Sequence, residues 1–121
     1  MDSAWARAFA EEWVAAWNSH NLERIFAHYT DDFAMSSPLI VELMHEPSGT
    51  LKGKDKVRPY WQRGLAVMPP IKFELVEVFV GVDSITIYYR SVGRKVAAEV
   101  LVFNDHGKVV KGIAHYGRPV E

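Results

Sequence analysis

Ile85-Thr86-Ile87-Tyr88-Tyr89-Arg90, then Lys95-Val96-Ala97-Ala98-Glu99-Val100-Leu101-Val102-Phe103, then Asn104-Asp105-His106-Gly107, then Lys108-Val109-Val110-Lys111-Gly112-Ile113-Ala114-His115-Tyr116 bring the chain almost to its end. Each long run is rich in β-branched and aromatic residues and is bounded by turn formers, which predicts consecutive strands joined by short connections and therefore antiparallel. Inside these apolar runs stand one carboxylate, Glu99, and one imidazole, His115. Burying either is costly unless it is paired, hydrogen-bonded or used, so the pair predicts a pocket on one face of the sheet.

Upstream, Ile71, Phe73 and Leu75 already follow a period of two, and Gly81 to Ser84 and Ser91 to Arg94 separate the strands. Before them the period is helical. Trp5, Phe9, Trp13, Ala16 and Trp17 mark one helical face with Asp2 or Ser3 as cap, and Leu22, Ile25, Phe26 and Tyr29 mark a second behind Asn21. Thr30-Asp31-Asp32 reads as a turn, Phe33 to Ser37 as a strand closed by Pro38, and Leu39 to Met44 as further strand or loop. His45 to Gly49 is a loop. Val57, Tyr60, Trp61, Gly64 and Leu65 then predict a third helix ending at Pro69-Pro70, with Pro59 implying a late start near Lys56 to Arg58 or a kink. Helices first and a meander afterwards, without a βαβ rhythm, make an α+β fold.

The 121 residues suit one domain, 1–121, and carry a net charge of −1 with no basic or acidic block. That balance excludes an electrostatic footprint for nucleic acid. No segment approaches the length of a membrane span, and the opening residues lack a signal peptide's basic flank and apolar run. The absence of cysteine removes disulfides and thiolate chemistry. A cytoplasmic location is the expectation.

Trp17-Asn18-x-His20-Asn21-Leu22-Glu23-x-Ile25, Tyr29-x-Asp31-Asp32-Phe33, Ser37-Pro38, Leu51-x-Gly53-x-Asp55-x-Val57-x-x-Tyr60-Trp61 and the terminal Gly107-Lys108-Val109 and His115-Tyr116 follow one another in an order that resembles the nuclear transport factor 2-like superfamily, in particular its SnoaL-like branch. The resemblance spans nearly the whole chain. It implies a cone of three N-terminal helices on a strongly curved, mostly antiparallel sheet, a pocket between them, and commonly a homodimer through the sheet. The scaffold serves isomerases, cyclases, dehydratases, epoxide hydrolases and proteins without chemistry, so fold does not fix function. The acid used by ketosteroid isomerase has no clear counterpart in the strand after Asp32, whereas the SnoaL-like cyclases draw an acid–base residue from the late strands, where His115 is the nearest match.

Glu99 and His115 are the candidate catalytic residues. A three-residue loop Asp105-His106-Gly107 would set Glu99 opposite Ile113 and place both side chains on one face; a four-residue loop would send them to opposite faces. On one face, a desolvated Glu99 is a general base and His115 orients it or donates a proton. The competing structural reading pairs Glu99 with Arg90, Lys111 or a dimer mate and makes His115 a core or interface residue. Trp17, Tyr29, Tyr60, Trp61 and Tyr89 are the candidate ligand-binding residues, offering flat faces and donors to an apolar cyclic ligand, and core packing is the alternative for each. Asp31 and Asp32 point apart, as capping or solvated residues do. The five histidines show no metal-ligand spacing, neither a nucleophile elbow nor a phosphate loop is present, and no cofactor is expected. The chain thus reads as a small-molecule-binding protein, with cofactor-free acid–base catalysis, ligand binding alone, or dimeric assembly as the competing uses.

Overall fold

The computed structural model describes residues 1–118; the last three residues of the 1–121 domain reading lie outside it. Its helices are α1 (Ser3–Ser19), α2 (Leu22–Phe26), α3 (Pro38–Met44) and α4 (Lys54–Leu65); its strands are β1 (Tyr29–Ser36), β2 (Thr50–Lys52), β3 (Glu74–Val80), β4 (Ser84–Arg90), β5 (Val96–Phe103) and β6 (Val109–Tyr116). The six strands form one sheet in the order β2-β1-β6-β5-β4-β3, antiparallel except where β1 runs parallel to β6. The helices cover one face of the curled sheet, giving the expected α+β cone.

The caps lie where the sequence puts them. Asp2 accepts from the amides of Ala4 and Trp5, and Asn21 accepts from Arg24, each satisfying donors that the first helical turn leaves open. Several expectations are corrected. Tyr29 opens β1 instead of completing the second helical stripe, and Ile71 and Phe73 precede β3. Leu39 to Met44 is a helix, because the Ser37 hydroxyl accepts from the Leu39 amide and Pro38 occupies the first helical position, where its missing N–H costs nothing. Thr30-Asp31-Asp32 belongs to β1, whose pairing with β6 shifts register between Tyr29 and Ala34, so the two acids leave the inner face without a turn. Helix α4 begins at Lys54 despite Pro59, giving up the bond to the Asp55 carbonyl while Val57, Tyr60 and Trp61 bury its inner stripe.

The register of β5 on β6 contains the feature that governs the site. Asn104 N–H donates to the Lys108 carbonyl at 2.9 Å around Asp105-His106-Gly107, with Gly107 left-handed at φ 73° and packed on the Trp5 indole. This is the three-residue loop that would have set Glu99 opposite Ile113. One residue further along, however, a bulge intervenes: Phe103 faces Val109 whereas Val102 faces Lys111, leaving Val110 unmatched. Every later pair slips by one, so that Glu99 faces Ala114 and Ala98 faces His115. Because side chains alternate faces along a strand, the slip reverses which β6 residues point inward.

Candidate functional site

The inner face of the sheet is built in rows. Tyr89, Ala97 and Tyr116 lie side by side on β4, β5 and β6; the next row is Ile87, Glu99 and Ala114, and the next Ile85, Leu101 and Gly112. Glu99 therefore has small or aliphatic neighbours directly across and a tyrosine on each diagonal. Gly112 leaves little room for a side chain: a Cβ there would sit 3.0 Å from the Met35 sulfur, which would have to give way. His115 falls on the outer face, exposed to solvent and beside Ala98. The expected facing pair of Glu99 and His115 is not formed, and the physical reason is the Val110 bulge. An ion pair with Arg90 or Lys111 is not formed either, since Arg90 bridges Glu74 at 3.4 Å, Lys111 lies on the outer face, and among the described residues of the chain no cation reaches Glu99.

Glu99 and Ser37 are the buried polar residues of the interior. The Tyr89 hydroxyl donates to Glu99 Oε1 at 3.3 Å, but burial outweighs this bond and pushes the carboxyl up to about 7. The Tyr60 hydroxyl donates to Ser37 Oγ at 3.0 Å. Tyr116, 45 % exposed as a residue, turns its hydroxyl in beside those of Ser37 and Tyr60. Burial first, and the nearby Glu99 carboxyl second, raise Tyr89 and Tyr116 above the ordinary phenol range. Burial and Glu99 also raise Tyr60, against the Ser37 bond. One carboxyl and the four phenols of Tyr29, Tyr60, Tyr89 and Tyr116 thus share an interior region, with Tyr116 reaching from it to solvent.

The five aromatic residues expected to line a ligand space are all buried: Trp17, Tyr29, Tyr60, Trp61 and Tyr89. They touch one another and the rings around them. Trp61 lies 5.1 Å from both Trp17 and Tyr29, Tyr89 lies 4.4 Å from Phe73, and Trp13 Nε1 donates to the Tyr29 hydroxyl at 2.9 Å. Rings occupy much of the space expected to be hollow. Two open concavities lie elsewhere, one of about 360 Å³ between Trp5 and the β5–β6 turn and one of about 300 Å³ involving Tyr88, Ala98, His115 and Gly117. Among the described residues no group of three acidic or histidine side chains converges on a metal position, and no helix is long and apolar enough to cross a membrane.

Sequence reasoning missed Ser37 and Tyr116. The signal that could have found Tyr116 is the spacing of the small residues Gly112 and Ala114, which alternate with it along β6 and mark the crowded inner face.

A helix-covered, curled sheet with an unpaired carboxyl on its inner face defines the class of cone-shaped α+β proteins. Within it, the SnoaL-like domain family matches residues 10–118, and the chain belongs to that family. A SnoaL-like protein of unknown function from Burkholderia thailandensis is 44 % identical, with 97 % of this chain and 98 % of that one aligned at a TM-score of 0.92. AclR, a candidate hydroxylase of Streptomyces galilaeus, is 21 % identical over 98 % and 93 % of the two chains, TM-score 0.75. The epoxide hydrolase/cyclase-like enzyme SalBIII, associated with pyran ring formation in the polyether salinomycin, is 16 % identical over 96 % and 93 %, TM-score 0.74. These last two share the fold. Among curated proteins none matches the sequence.

Proposed function

We propose that this protein binds an apolar, ring-containing small molecule between its helices and the inner sheet face, and performs cofactor-free acid–base chemistry on it at Glu99. The observation that carries this reading is the Glu99 carboxyl itself. It is buried with no cation beside it among the described residues, and burial pushes it up to about 7, so at neutral pH it can both take and return a proton. Such a group lowers stability and is the kind of feature that marks a site. Tyr60 and Tyr116 supply hydroxyls beside it for a substrate oxygen, while Trp17, Tyr29, Trp61 and Tyr89 supply the apolar wall. The use of related folds by AclR and SalBIII fits an enzyme. His115, on the outer face, takes no part in this chemistry.

The close ring packing favours a second reading, a binding or assembly domain without turnover. Native mass spectrometry of the purified protein, followed by assay of the co-purified compound and of a cyclic ketone and epoxide panel, separates the two. The expected result is a bound apolar cyclic compound and a reaction that Glu99→Gln slows by about 100-fold or more in kcat. Retention of full activity by that variant overturns the acid–base role, and absence of any binding to the panel overturns the ligand site.

We further propose a homodimer through the outer sheet face. Val96, Ala98, Val100, Val102 and Ile113 form an apolar strip on that face, flanked by Thr86, Arg90 and Lys111, opposite the face on which the helices pack. An apolar sheet surface of this kind is suited to a two-fold, self-complementary contact. Sedimentation at micromolar concentration should give the dimer mass for the unsubstituted protein and the monomer mass for Val100→Glu. A monomer mass for the unsubstituted chain rejects the assembly.

A further inference from the structure

Trp17 carries a donor with nothing to donate to. Its Nε1 is fully buried and meets no acceptor among the described residues, although buried donors in folded proteins are almost always partnered and an indole nitrogen can only donate. The ring is firmly held. It packs 5.1 Å from Trp61, 5.9 Å from Phe73 and 6.1 Å from Trp13, and the next residue, Asn18, clamps the Phe73 backbone by accepting from its N–H at 2.6 Å and donating to its carbonyl at 2.9 Å. The indole therefore has little freedom to turn toward a partner of its own.

The other polar groups of the interior are the Tyr29, Tyr60, Tyr89 and Tyr116 hydroxyls, Ser37 and Glu99, together with Thr30 Oγ1, which like the Trp17 Nε1 is buried without a partner among the described residues. Among the described residues this set contains hydroxyl and indole donors and no lysine, arginine or histidine; the buried polar or charged residues are Ser37 and Glu99. An anionic ligand would find no counter-charge and would face a carboxyl. An ammonium would leave the indole N–H without an acceptor. An uncharged molecule with acceptor oxygens avoids both costs: one oxygen meets the Trp17 N–H among Trp13, Trp61 and Phe73, and a second, at the other end, competes with Ser37 and Glu99 for the hydroxyls of Tyr60 and Tyr116.

Resting on the reading of this interior as a ligand site, we infer that the ligand is an uncharged ring compound with two acceptor oxygens, one held by the Trp17 Nε1–H and the other by the Glu99, Tyr60 and Tyr116 cluster. Trp17 is then a specificity-determining residue: it selects for the second oxygen.

Calorimetric titration with chromanone, tetralone, chromane and tetralin tests this, since the four bicyclic probes carry both a carbonyl and a ring ether, the carbonyl alone, the ether alone, or neither. Naphthoate and naphthylmethylammonium serve as charged controls. Chromanone should bind tightest, with removal of either oxygen weakening it about five- to tenfold, the worth of one neutral hydrogen bond. In Trp17→Phe one of these two losses should vanish while the other persists. The Trp17 indole N–H resonance of the unsubstituted protein should also shift on chromanone binding, a readout that does not require the variant to fold. Equal oxygen dependence in the two proteins, or an unmoved indole resonance, overturns the role of Trp17 and leaves the ligand site standing. Tighter binding of either charged control overturns the uncharged class. Failure of all six probes to bind overturns the ligand site and this inference together.

Discussion

At pH 8, Glu99→Gln should be more stable than the unsubstituted protein, and in acid that advantage should be lost, leaving only the cost of the buried amide. Burial raises the folded-state pKa of Glu99 from 4.5 to about 7. Below pH 4.5 the carboxyl is protonated in both the folded and unfolded chain and contributes no pH dependence. Between 4.5 and 7 the unfolded chain gives up the proton while the folded protein keeps it, so stability falls as pH rises; above 7 both forms are ionised and the penalty stays constant. At about 1.4 kcal/mol per unit, the full penalty is of the order of 3 kcal/mol. Glutamine removes that penalty and introduces an amide needing partners of its own, which leaves an expected net gain of about 1–2 kcal/mol at pH 8. Glu12 and Glu46, which have lowered pKa values, act in the opposite direction. The informative quantity is therefore the difference between variant and unsubstituted protein in urea midpoints measured from pH 4 to 8. A difference that stays flat across that range would show that Glu99 does not ionise late.

Trp13→Ala should cause a larger loss, about 3–5 kcal/mol in urea unfolding, the range found when a buried tryptophan is truncated in a packed core. Trp13 is fully buried and its ring is in contact with Trp17, Phe73 and Tyr89. It also donates to the Tyr29 hydroxyl, which would be left buried with one bond fewer. Since Tyr29 and Tyr89 both back the Glu99 region, the variant should loosen the site as well as the core. Trp13→Phe keeps most of the ring and loses the donor, so it should cost distinctly less. Equal losses for the two variants would assign the effect to the Trp13–Tyr29 hydrogen bond alone.

The helix caps, the strands of the meander, the family and the burial of Glu99 were all legible in the chain, because each depends on local chemistry: a capping oxygen before an apolar stripe, alternation between turns, a lone acid among apolar residues. Helix α3 was hidden because Leu39-Ile40-Val41 suits a strand as well as a helix, and Ser37 and Pro38 tipped the balance only once the chain turned at Gly49, whose carbonyl accepts from the Ser37 amide. Strand β2 is only three residues long and exists through its pairing with β1. The alternation within β6 could be read from sequence, but its direction could not.

From its sequence alone, this protein determined that helices would cover a curved antiparallel meander and that an acid would be carried into its apolar interior, since those outcomes follow from periodicity, turn chemistry and the cost of burying charge. The turn at Asp105-His106-Gly107 was specified locally too, by a glycine free to adopt a left-handed conformation. Tertiary structure decided which side chain meets Glu99. One unmatched residue, Val110, shifts the remainder of β6 by a single position, and because neighbouring strand residues face opposite ways, that slip exchanges His115 for Tyr116 at the site. The bulge is compatible with the contacts of Gly112 on Met35 and Leu101, residues distant in the chain, and such contacts exist only once β1, β5 and β6 have come together.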